Sequence, residues 1–312
     1  MKKKIKGIHH ITAIVGNPQE NVDFYAGVLG LRMVKQTVNF DDPGTYHLYF
    51  GDEQGSPGTV ITFFPWDGAH QGRIGGGQVG STSYAVPKGS LPFWEDRLKG
   101  FTISFSKSKR FGETYLQFKD PHGLEVELVE RELGKSSQWS FGKISPDVAI
   151  KGFAGAFLLS ASPELTAQLL EEVMGFELVD REGTVTRFKS TADIGNIVDL
   201  NMEAVHRGRM GVGTVHHIAW RADDDQDQLS WKEHLENNRY PVTPVQDRNY
   251  FNAIYFREHG DILFEIATDP PGFTVDETPD ELGINLKLPP QYEPLRDKIE
   301  QVLLPIKVRK LD

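Results

Sequence analysis

The sequence predicts an α+β fold in which four βαβββ modules form two paired, curved mixed β-sheet barrels. Two internal repeats carry this prediction. The first aligns IKGIHHITAIVGNP over 5–18, without a gap, with IKGFAGAFLLSASP over 150–163. The second aligns GQVGSTSYAV and FKDPHGLEVEL, within 77–128, with GTVHHIAWRA and FREHGDILFEI, within 213–266. Each copy has the pattern of one strand, a helix and three more strands. The sheet of a single module is too small to bury both of its faces.

Helix signals set the limits of the modules. In the first module Asn17 and Pro18 suit the start of a helix, and Gly30 suits the residue just after its end. The Pro-rich tail over 273–312 is predicted to contain one short helix around 292–304. We predict an N-terminal domain over 5–132, with modules at 5–67 and 72–132, and a C-terminal domain over 150–270, with modules at 150–204 and 210–270.

Composition restricts the class of partner. The chain has a formal net charge of −10 and no cysteine. The charge argues against binding to nucleic acid or to an anionic membrane surface, and the lack of cysteine excludes disulfides and thiolate ligands. No run reaches the roughly 18 apolar residues of a membrane span, and the chain start lacks the apolar core of a signal peptide. We therefore expect a cytoplasmic protein that acts on small molecules, with a homo-oligomeric state left open.

A doubled histidine begins two of the predicted strands. The pairs are His9-His10 in GIHHITAIV and His216-His217 in TVHHIAWRA, and a carboxylate, Glu265, lies within the apolar strand DILFEIATD. Two imidazoles and one buried carboxylate are a ligand set for a transition metal. Because adjacent residues of a strand point to opposite faces, only one histidine of each pair can be a direct ligand.

The repeated module with these residues resembles the vicinal oxygen chelate superfamily of glyoxalase I, bleomycin-resistance proteins and extradiol ring-cleaving dioxygenases. The resemblance covers most of the chain and implies the glyoxalase/extradiol dioxygenase fold. It implies metal ligands on the first and last strands of a module and favours the second histidine of each pair, His10 and His217. His9 and His216 would then lie on the far side or lean in to orient a ligand or a substrate.

These ligand positions decide which modules share a barrel. Pairing neighbouring modules leaves both barrels without a complete ligand set. Pairing the first module with the fourth brings His10, His217 and Glu265 together, so we predict that these two close the active barrel and the middle two form a structural one. In chain order, the first-strand and last-strand positions are predicted to hold His10 and Phe63, Ser81 and Glu127, Gly155 and Leu200, and His217 and Glu265.

The composition of the ligand set narrows the chemistry. Two histidines and one carboxylate with open positions form the facial triad of non-haem Fe(II) oxygenases, and Mn(II) accepts the same ligands. Resemblance to glyoxalase I would imply a fourth protein ligand, a glutamate that moves protons. Phe63, at the predicted fourth position, can neither bind a metal nor move a proton. The sequence therefore favours oxygen chemistry over isomerisation.

The whole chain resembles more closely one branch of the superfamily, the hydroquinone-cleaving dioxygenases of the methylhydroquinone and dichlorohydroquinone type. The doubled histidines, the phrase YFREHGDILFEIATDPPGF over 255–273 and the split of ligands between the first and last modules carry this resemblance. It implies an Fe(II) enzyme that opens hydroquinones or catechols with O₂, in aromatic degradation or quinone detoxification. It implies metal ligands His10, His217 and Glu265, catalytic residues His9, His216, Arg248 and Tyr255, and substrate contacts from Thr12, Arg248 and Tyr255.

Other interpretations stay open. A glyoxalase-type lyase or isomerase would need a fourth ligand, and a binding protein of the bleomycin-resistance type would need no triad. Arg248 could pair with Asp247 at the surface, and Tyr255 could be a core aromatic. Glu127 is interpreted as structural. The Gly-rich RIGGGQVG over 73–80 lacks the Lys and Ser or Thr of a phosphate loop and is interpreted as a flexible connector.

Overall fold

The computed structural model describes residues 3–312 and contains four modules, each with one strand, one helix and three further strands. Module 1 comprises β1 (Ile8–Val15), α1 (Pro18–Val22), β2 (Arg32–Val38), β3 (Tyr46–Gly51) and β4 (Val60–Pro65). Module 2 comprises β5 (Gln78–Val86), α2 (Leu91–Gly100), β6 (Phe105–Arg110), β7 (Glu113–Lys119) and β8 (Glu125–Glu130). Module 3 comprises β9 (Gly152–Leu159), α3 (Pro163–Gln168), β10 (Glu177–Glu182), β11 (Val185–Lys189) and β12 (Ile197–Asn201). Module 4 comprises β13 (Thr214–Ala222), α4 (Asp225–Asn237), β14 (Gln246–Asp247), β15 (Phe251–Arg257) and β16 (Leu263–Pro271).

The repeat extends to the way the first and third helices end. The Asn17 side chain accepts hydrogen bonds from the backbone of Gln19 and Glu20, which caps α1 as predicted. α1 and α3 both widen into a π-helical turn, over Asp23–Val28 and Leu169–Val173. A glycine with positive φ follows each turn, Gly30 in module 1 and Gly175 in module 3, because a left-handed residue ends a helix without steric cost.

The strands form two eight-stranded mixed sheets, which confirms the predicted α+β fold. The first sheet has the order β14-β15-β16-β13-β1-β4-β3-β2 and so joins module 4 to module 1. The second has the order β10-β11-β12-β9-β5-β8-β7-β6 and joins module 3 to module 2. In each sheet the first strands of the two modules pair antiparallel at the centre, β1 with β13 and β5 with β9. Strands that are 207 residues apart in the chain thus become neighbours.

Both faces of the first sheet are covered at its centre. Every residue of β1 is buried, as expected for a strand that packs on both sides. On one face, Ile218, Trp220 and Phe264 belong to the large apolar core, to which Trp231 of α4 also belongs. Alternate residues point the other way, into the concave face of the sheet. That face carries small side chains beside the site, such as Ala219, so it can hold a cavity.

The Gly-rich segment after module 1 differs from the flexible connector that was predicted. It pairs with the segment before module 4, and Arg73 and Arg209 exchange two backbone hydrogen bonds of 2.8 Å. A Cβ atom on Gly75 would collide with the carbonyl oxygen of His206, so the glycine permits this close backbone approach. The two connectors therefore form a short ribbon that ties the modules together.

The tail lies along the edge of the first sheet. It contains 3₁₀ turns at Phe273–Val275 and Glu293–Leu295 and a helix, α5 (Arg296–Val302), which is shorter than the predicted 292–304. The buried Lys35 of β2 donates to the Phe273 carbonyl at 3.1 Å and pairs with Asp276 and Glu277, which holds the tail against β2. None of the helices in residues 3–312 combines the length and apolarity needed to cross a bilayer.

Candidate metal centre

Three buried side chains meet at the centre of the first sheet. His217 Nε2 lies 2.9 Å from Glu265 Oε2, and His10 Nε2 lies 3.5 Å from the same oxygen. The two Nε2 atoms are 3.4 Å apart. One ligand atom from each residue lies within 4.8 Å of the others. These are the three residues that the sequence predicted as ligands.

Strand register explains why they meet. Thr12 is the cross-strand partner of His217, and Ala219 is the partner of Glu265. Residues two apart on a strand share a face, so His10 and Thr12 of β1 lie on the same face as His217 and Ala219 of β13. Glu265 of β16 joins that face through Ala219. The central antiparallel pair and its parallel neighbour thus bring the three residues to one spot.

A β-bulge accounts for each doubled histidine. The pairing of β1 with β13 passes from Ile8 to His10 and leaves out His9, and on β13 it passes from His217 to Val215 and leaves out His216. A bulged residue loses its partner and its side chain is re-aimed. Both first histidines therefore lean toward their neighbours.

The bulged residues His9 and His216 fix the ring orientation of His10 and His217. His9 Nδ1 lies 2.9 Å from His10 Nδ1, and His216 Nδ1 lies 2.8 Å from His217 Nδ1. Each of these short contacts leaves Nε2 of His10 and of His217 facing Glu265. An imidazole whose second nitrogen is hydrogen-bonded has a fixed orientation, which suits a metal ligand.

The residues present fit a bound cation. Glu265 is 0% exposed, and its carboxylate faces the imidazoles of His10 and His217 and the hydroxyl of Tyr255. Burial alone would raise the pKa of Glu265, but the facing imidazoles of His10 and His217 lower it well below its usual value. No lysine or arginine in residues 3–312 forms an ion pair with Glu265, so a cation bound between the carboxylate and the two imidazoles would balance its buried negative charge.

Acid is expected to destabilise the metal-free protein. Burial lowers the pKa of four histidines. The pKa of His216 falls to about 3, those of His9 and His47 fall well below the ordinary value, and that of His217 falls below it. Below about pH 6.5 the unfolded chain binds protons that the folded chain does not, so stability falls as the pH falls. We expect a loss of roughly 1 kcal/mol for each histidine between about pH 7.5 and 5.5, measured by urea unfolding in EDTA.

The exposed His206 supplies the control for this measurement. His206→Gln removes an imidazole that folding leaves in solvent, so the variant is expected to show the same loss of stability with acid as the parent. Equal unfolding free energies of the parent at both pH values would contradict the expectation.

A cavity of about 510 Å³ opens onto the triad. His10, His217 and Glu265 form one wall, and His216, Arg248 and Tyr255 also line it. Its remaining walls combine aromatic or apolar side chains with polar ones. The first group is Phe40, Phe64, Trp66, Phe251 and Leu263, and the second is Asn39, Asp41, Asp42, His47, Thr243 and Gln246. A larger cavity of about 920 Å³ lies between α1 and strands β6 and β7 and contains none of the predicted site residues.

Arg248 and Tyr255 face the triad together. Arg248 Nε lies 3.4 Å from the Tyr255 hydroxyl, and its Nη2 donates to Gln246 at 2.5 Å. The acidic partner of Arg248 is Asp41, at 3.7 Å, and not the adjacent Asp247. Burial, followed by the charge of Glu265, raises the pKa of the Tyr255 hydroxyl, so it stays protonated. Arg248 is thus not paired with Asp247 at the surface, and Tyr255 is not simply a core aromatic, which were the two alternatives that the sequence left open.

Two of the predicted site residues lie behind the cavity wall. His9 and Thr12 are both buried, and neither lines the cavity. His9 packs against Phe251, with ring centroids 5.3 Å apart. Thr12 donates to or accepts from Thr62, whose hydroxyl is 2.8 Å away.

The predicted last-strand residues of modules 1 and 3 are each wrong by one position. Glu265 pairs with the residue two after His217, and by the same rule the counterpart in module 1 is Thr62, the partner of Thr12. Phe63 points to the opposite face, into the apolar core. In module 3 the counterpart is Asp199 and not Leu200. The fourth position of the active barrel therefore holds a threonine hydroxyl.

The second sheet has carboxylates at the corresponding positions, and arginines neutralise them. Glu127 and Asp199 both pair with Arg110, at 2.9 and 2.6 Å. Arg187 adds a two-pronged contact to Asp199 through Nε and Nη2, at 2.6 and 2.8 Å. Ser81 and Gly155 stand where the other sheet has histidines. Glu127 is thus structural, as predicted, and guanidinium groups supply the positive charge in this barrel.

Two polar residues of the active barrel, His47 and Tyr49, were not predicted from the sequence. His47 lines the cavity, and its ring nitrogens lie 2.8 Å from the hydroxyls of Thr62 and Tyr49. The one sequence feature that points to His47 and Tyr49 is the alternation in YHLYF, which puts both residues on one face of β3. A single histidine in an apolar strand does not distinguish that face from the other.

The sequence of the chain matches a known superfamily in two separate stretches. Residues 7–128 and 156–276 match the Glyoxalase/Bleomycin resistance protein/Dioxygenase superfamily. The chain belongs to this superfamily. The two matched stretches together include the triad and most of both sheets.

Relatives of this superfamily member are named as ring-cleaving dioxygenases. MhqO of Bacillus subtilis (strain 168), named as a ring-cleaving dioxygenase, is 66% identical over 312 residues, which is 100% of both chains. The chlorohydroquinone/hydroquinone 1,2-dioxygenase of Sphingobium indicum is 33% identical over 310 residues, with 96% of each chain covered. The crystal structure of a protein designated a dioxygenase from Bacillus subtilis subsp. subtilis str. 168 has a TM-score of 0.98 at 66% identity, over 99% of this chain and 100% of that one. The predicted resemblance to ring-cleaving dioxygenases is confirmed.

Proposed function

We propose that the protein is an Fe(II)-dependent dioxygenase that opens the ring of hydroquinone-type or catechol-type diols with O₂. The observation that carries this proposal is the buried triad of His10, His217 and Glu265, which has an open side facing an aromatic-lined cavity. The relatives named for ring cleavage, one of them for chlorohydroquinone and hydroquinone, support the same substrate class. Its role would be the degradation of aromatic compounds or the removal of hydroquinones in the cytoplasm.

The three triad residues would hold the metal, His10 and His217 through Nε2 and Glu265 through a carboxylate oxygen. Iron bound there supplies the chemistry, because a ferrous ion with open positions lowers the pKa of a phenolic hydroxyl and passes electrons between the ring and O₂. Mn(II) is the second candidate, since it accepts the same ligands. The fourth position, where a glyoxalase-type enzyme needs a proton-moving carboxylate, holds Thr62 and not Phe63. A threonine hydroxyl does not replace that carboxylate, so the ligand set still favours oxygen chemistry over isomerisation.

His216 presents a hydrogen-bond donor to the cavity. When His217 uses Nε2 for a metal, its proton lies on Nδ1 and is donated to His216 Nδ1, 2.8 Å away. Neutral His216 must then carry its own proton on Nε2, the nitrogen left toward the cavity. Burial, followed by the neighbouring His217, lowers the pKa of His216 to about 3, which keeps this protonation state at neutral pH. His216 is therefore suited to donate to a substrate oxygen rather than to take its proton.

Arg248 and Tyr255 complete the polar wall. The Arg248 guanidinium is held by Gln246 and Tyr255 and keeps its positive charge. It is placed to stabilise negative charge that develops on a ring oxygen. Tyr255 stays protonated and can donate its hydroxyl proton to the same region. Aromatic side chains of the cavity wall, such as Phe64 and Phe251, can pack against the faces of the ring.

Oxygen uptake tests the proposal. The purified chain is loaded with Fe(II) without oxygen, and O₂ consumption is followed after addition of methylhydroquinone or catechol. We expect uptake of one O₂ per ring opened with at least one of the two diols, and no uptake by the metal-free protein. Loading with Mn(II) in a parallel sample distinguishes the two metals. Turnover of a glutathione hemithioacetal without oxygen uptake from either diol would overturn the proposal in favour of a glyoxalase-type reaction.

A further inference from the structure

The hairpin turn between β14 and β15, which carries Arg248, has a strained backbone. The Tyr250 N–H donates to the Arg248 carbonyl at 2.7 Å and closes a three-residue turn around Asn249. Asn249 has a φ of +63°. A three-residue turn with a positive central φ is the rare and strained form, because the side chain of an L-residue is crowded there. Such a conformation persists only where the surrounding structure holds it.

Backbone hydrogen bonds connect this turn to its surroundings on two sides. The Arg248 N–H donates to the Phe251 carbonyl at 3.0 Å, within the hairpin. The Gly272 N–H donates to the Tyr250 carbonyl at 2.9 Å, and Gly272 is the residue between β16 and the tail. The turn therefore meets the tail at the point where the tail begins.

The side chain of Tyr250 anchors the turn to the tail. Tyr250 is 1% exposed, and its hydroxyl donates to Asp276 Oδ2 at 3.0 Å. Its ring packs on Phe273, with ring centroids 5.2 Å apart. Burial, followed by the charge of Asp276, raises the pKa of the Tyr250 hydroxyl, so the hydroxyl keeps its proton. A carboxylate can only accept, so the tyrosine is the donor in this hydrogen bond.

A buried lysine of module 1 holds Asp276 in place. Lys35 Nζ lies 2.5 Å from Asp276 Oδ1 and also pairs with Glu277. The side chains of Lys35 and Glu277 are 0% and 1% exposed, and buried charges are costly unless they stay paired. Asp276 thus uses one oxygen for Lys35 and the other for Tyr250. Its carboxylate joins β2 of module 1 to the turn of module 4.

The turn sets the place of the Arg248 guanidinium in the cavity wall. The guanidinium contacts Tyr255 and Gln246, which belong to the two strands of the same hairpin. A shift of the Arg248 backbone would therefore pull the guanidinium away from these partners. Displacement of a catalytic group by about 1 Å can lower a rate by about 100-fold, even when the altered residue lies far from the reacting atoms.

We propose that Tyr250, tied to Asp276, is a positioning residue that keeps the strained turn in the conformation which aims Arg248 at the substrate. The tail, which lies outside the four modules, is then a functional part of the active barrel. The inference rests on the proposed function for the role of Arg248. The tie between the tail and the turn is a property of the folded chain itself.

Hydrogen exchange tests the tie without any reaction. Tyr250→Phe removes the hydroxyl and keeps the ring, and we expect backbone amides over 247–252 to exchange about tenfold faster, measured by mass spectrometry on the purified chain. Gln36→Met is the control, because it removes hydrogen bonds to the tail carbonyls of Gly283 and Ile284, which do not involve the turn. This variant should exchange over 247–252 as the parent does. Unchanged exchange in Tyr250→Phe, or an equal increase in both variants, would overturn the proposal.

Kinetics of the iron-loaded protein test the purpose of the tie. We expect Tyr250→Phe to lower kcat for the diol about tenfold with KM and iron content little changed, because Arg248 acts on charge that develops during the reaction. Gln36→Met should react at the rate of the parent. In an Arg248→Met background, Tyr250→Phe should have no further effect, since both act through one guanidinium. Losses that multiply in the double variant would overturn the positioning role.

The two measurements distinguish this inference from the proposed function. If the parent consumes no oxygen while Tyr250→Phe alone loosens 247–252, the proposed function fails and the tie between tail and turn stands. If the parent is active and the exchange over 247–252 does not change in Tyr250→Phe, the proposed function stands and the tie fails.

Discussion

Loss of His217 is expected to abolish stoichiometric iron binding. His217→Ala leaves His10 and Glu265 as a pair of ligands on one side of the cavity. Even changes to groups that orient ligands lower metal affinity by about 10- to 100-fold, so removal of a ligand should exceed about 100-fold. Iron content after anaerobic loading and desalting, measured by elemental analysis, is expected to fall to background, and oxygen uptake should be lost with it.

Two further variants make this result specific. Glu265→Gln keeps the size of the side chain and removes its charge, so it should also lose iron if the carboxylate is a ligand. His206→Ala removes an exposed histidine outside the triad and should leave the iron content unchanged. Retention of one iron per chain by folded His217→Ala would remove the basis of the proposed site.

Loss of Arg110 is expected to destabilise the second barrel strongly. Its guanidinium pairs with the buried carboxylates of Glu127 and Asp199, and Arg110 itself is 12% exposed. Arg110→Met keeps much of the apolar volume but leaves Glu127 without its cation. Breaking a buried ion pair in this way costs about 3–5 kcal/mol. The free energy of unfolding of the metal-free protein, measured in urea, should fall by that amount.

A control lies on the same strand. Lys107 of β6 pairs with Glu95, but it is 53% exposed, and exposed pairs contribute about 0–1 kcal/mol. Lys107→Met should therefore change stability little. We also expect the folded fraction of Arg110→Met to bind iron as the parent does, because the triad lies in the other sheet. A stability change no larger than that of Lys107→Met would mean that the arginine does not compensate the buried carboxylates.

The arrangement of modules could be predicted from the sequence because repeated segments identify equivalent strands in different modules. The gap-free repeat between 5–18 and 150–163 identifies first strands, and only one pairing of modules gathers two histidines and a carboxylate. Side-chain direction is harder, because a shift of one residue turns a side chain to the other face of the sheet. The strands that contain Phe63 and Leu200 follow loops whose lengths differ from those of the other modules. The sequence alignment of the modules is therefore off by one residue at both positions.

The supporting residues could not be predicted for a different reason. The bulges at His9 and His216 exist only in the pairing of two strands that lie far apart in the chain, so no local pattern reports them. His47 lacks the second histidine that marks the two ligand strands, and Thr62 is an ordinary residue for a strand. The contacts of both depend on neighbours supplied by other strands. The metal ligands were visible because histidine and glutamate are rare in buried strands, whereas threonine and tyrosine are common there.

The pairing of β1 with β13 sets an order of events during synthesis of the protein. Modules 2 and 3 are adjacent in the chain and can pair while translation continues. β1 can pair with β4 of its own module, but it lacks its antiparallel partner β13 until Thr214 and the residues after it have left the ribosome. Glu265 emerges later still. A chain that stops between Asn201, where β12 ends, and Glu265 contains every strand of the second sheet but lacks a member of the triad. The proposed metal site can therefore form only after Glu265 has been synthesised, and iron content would distinguish fragments that end before this residue from longer chains.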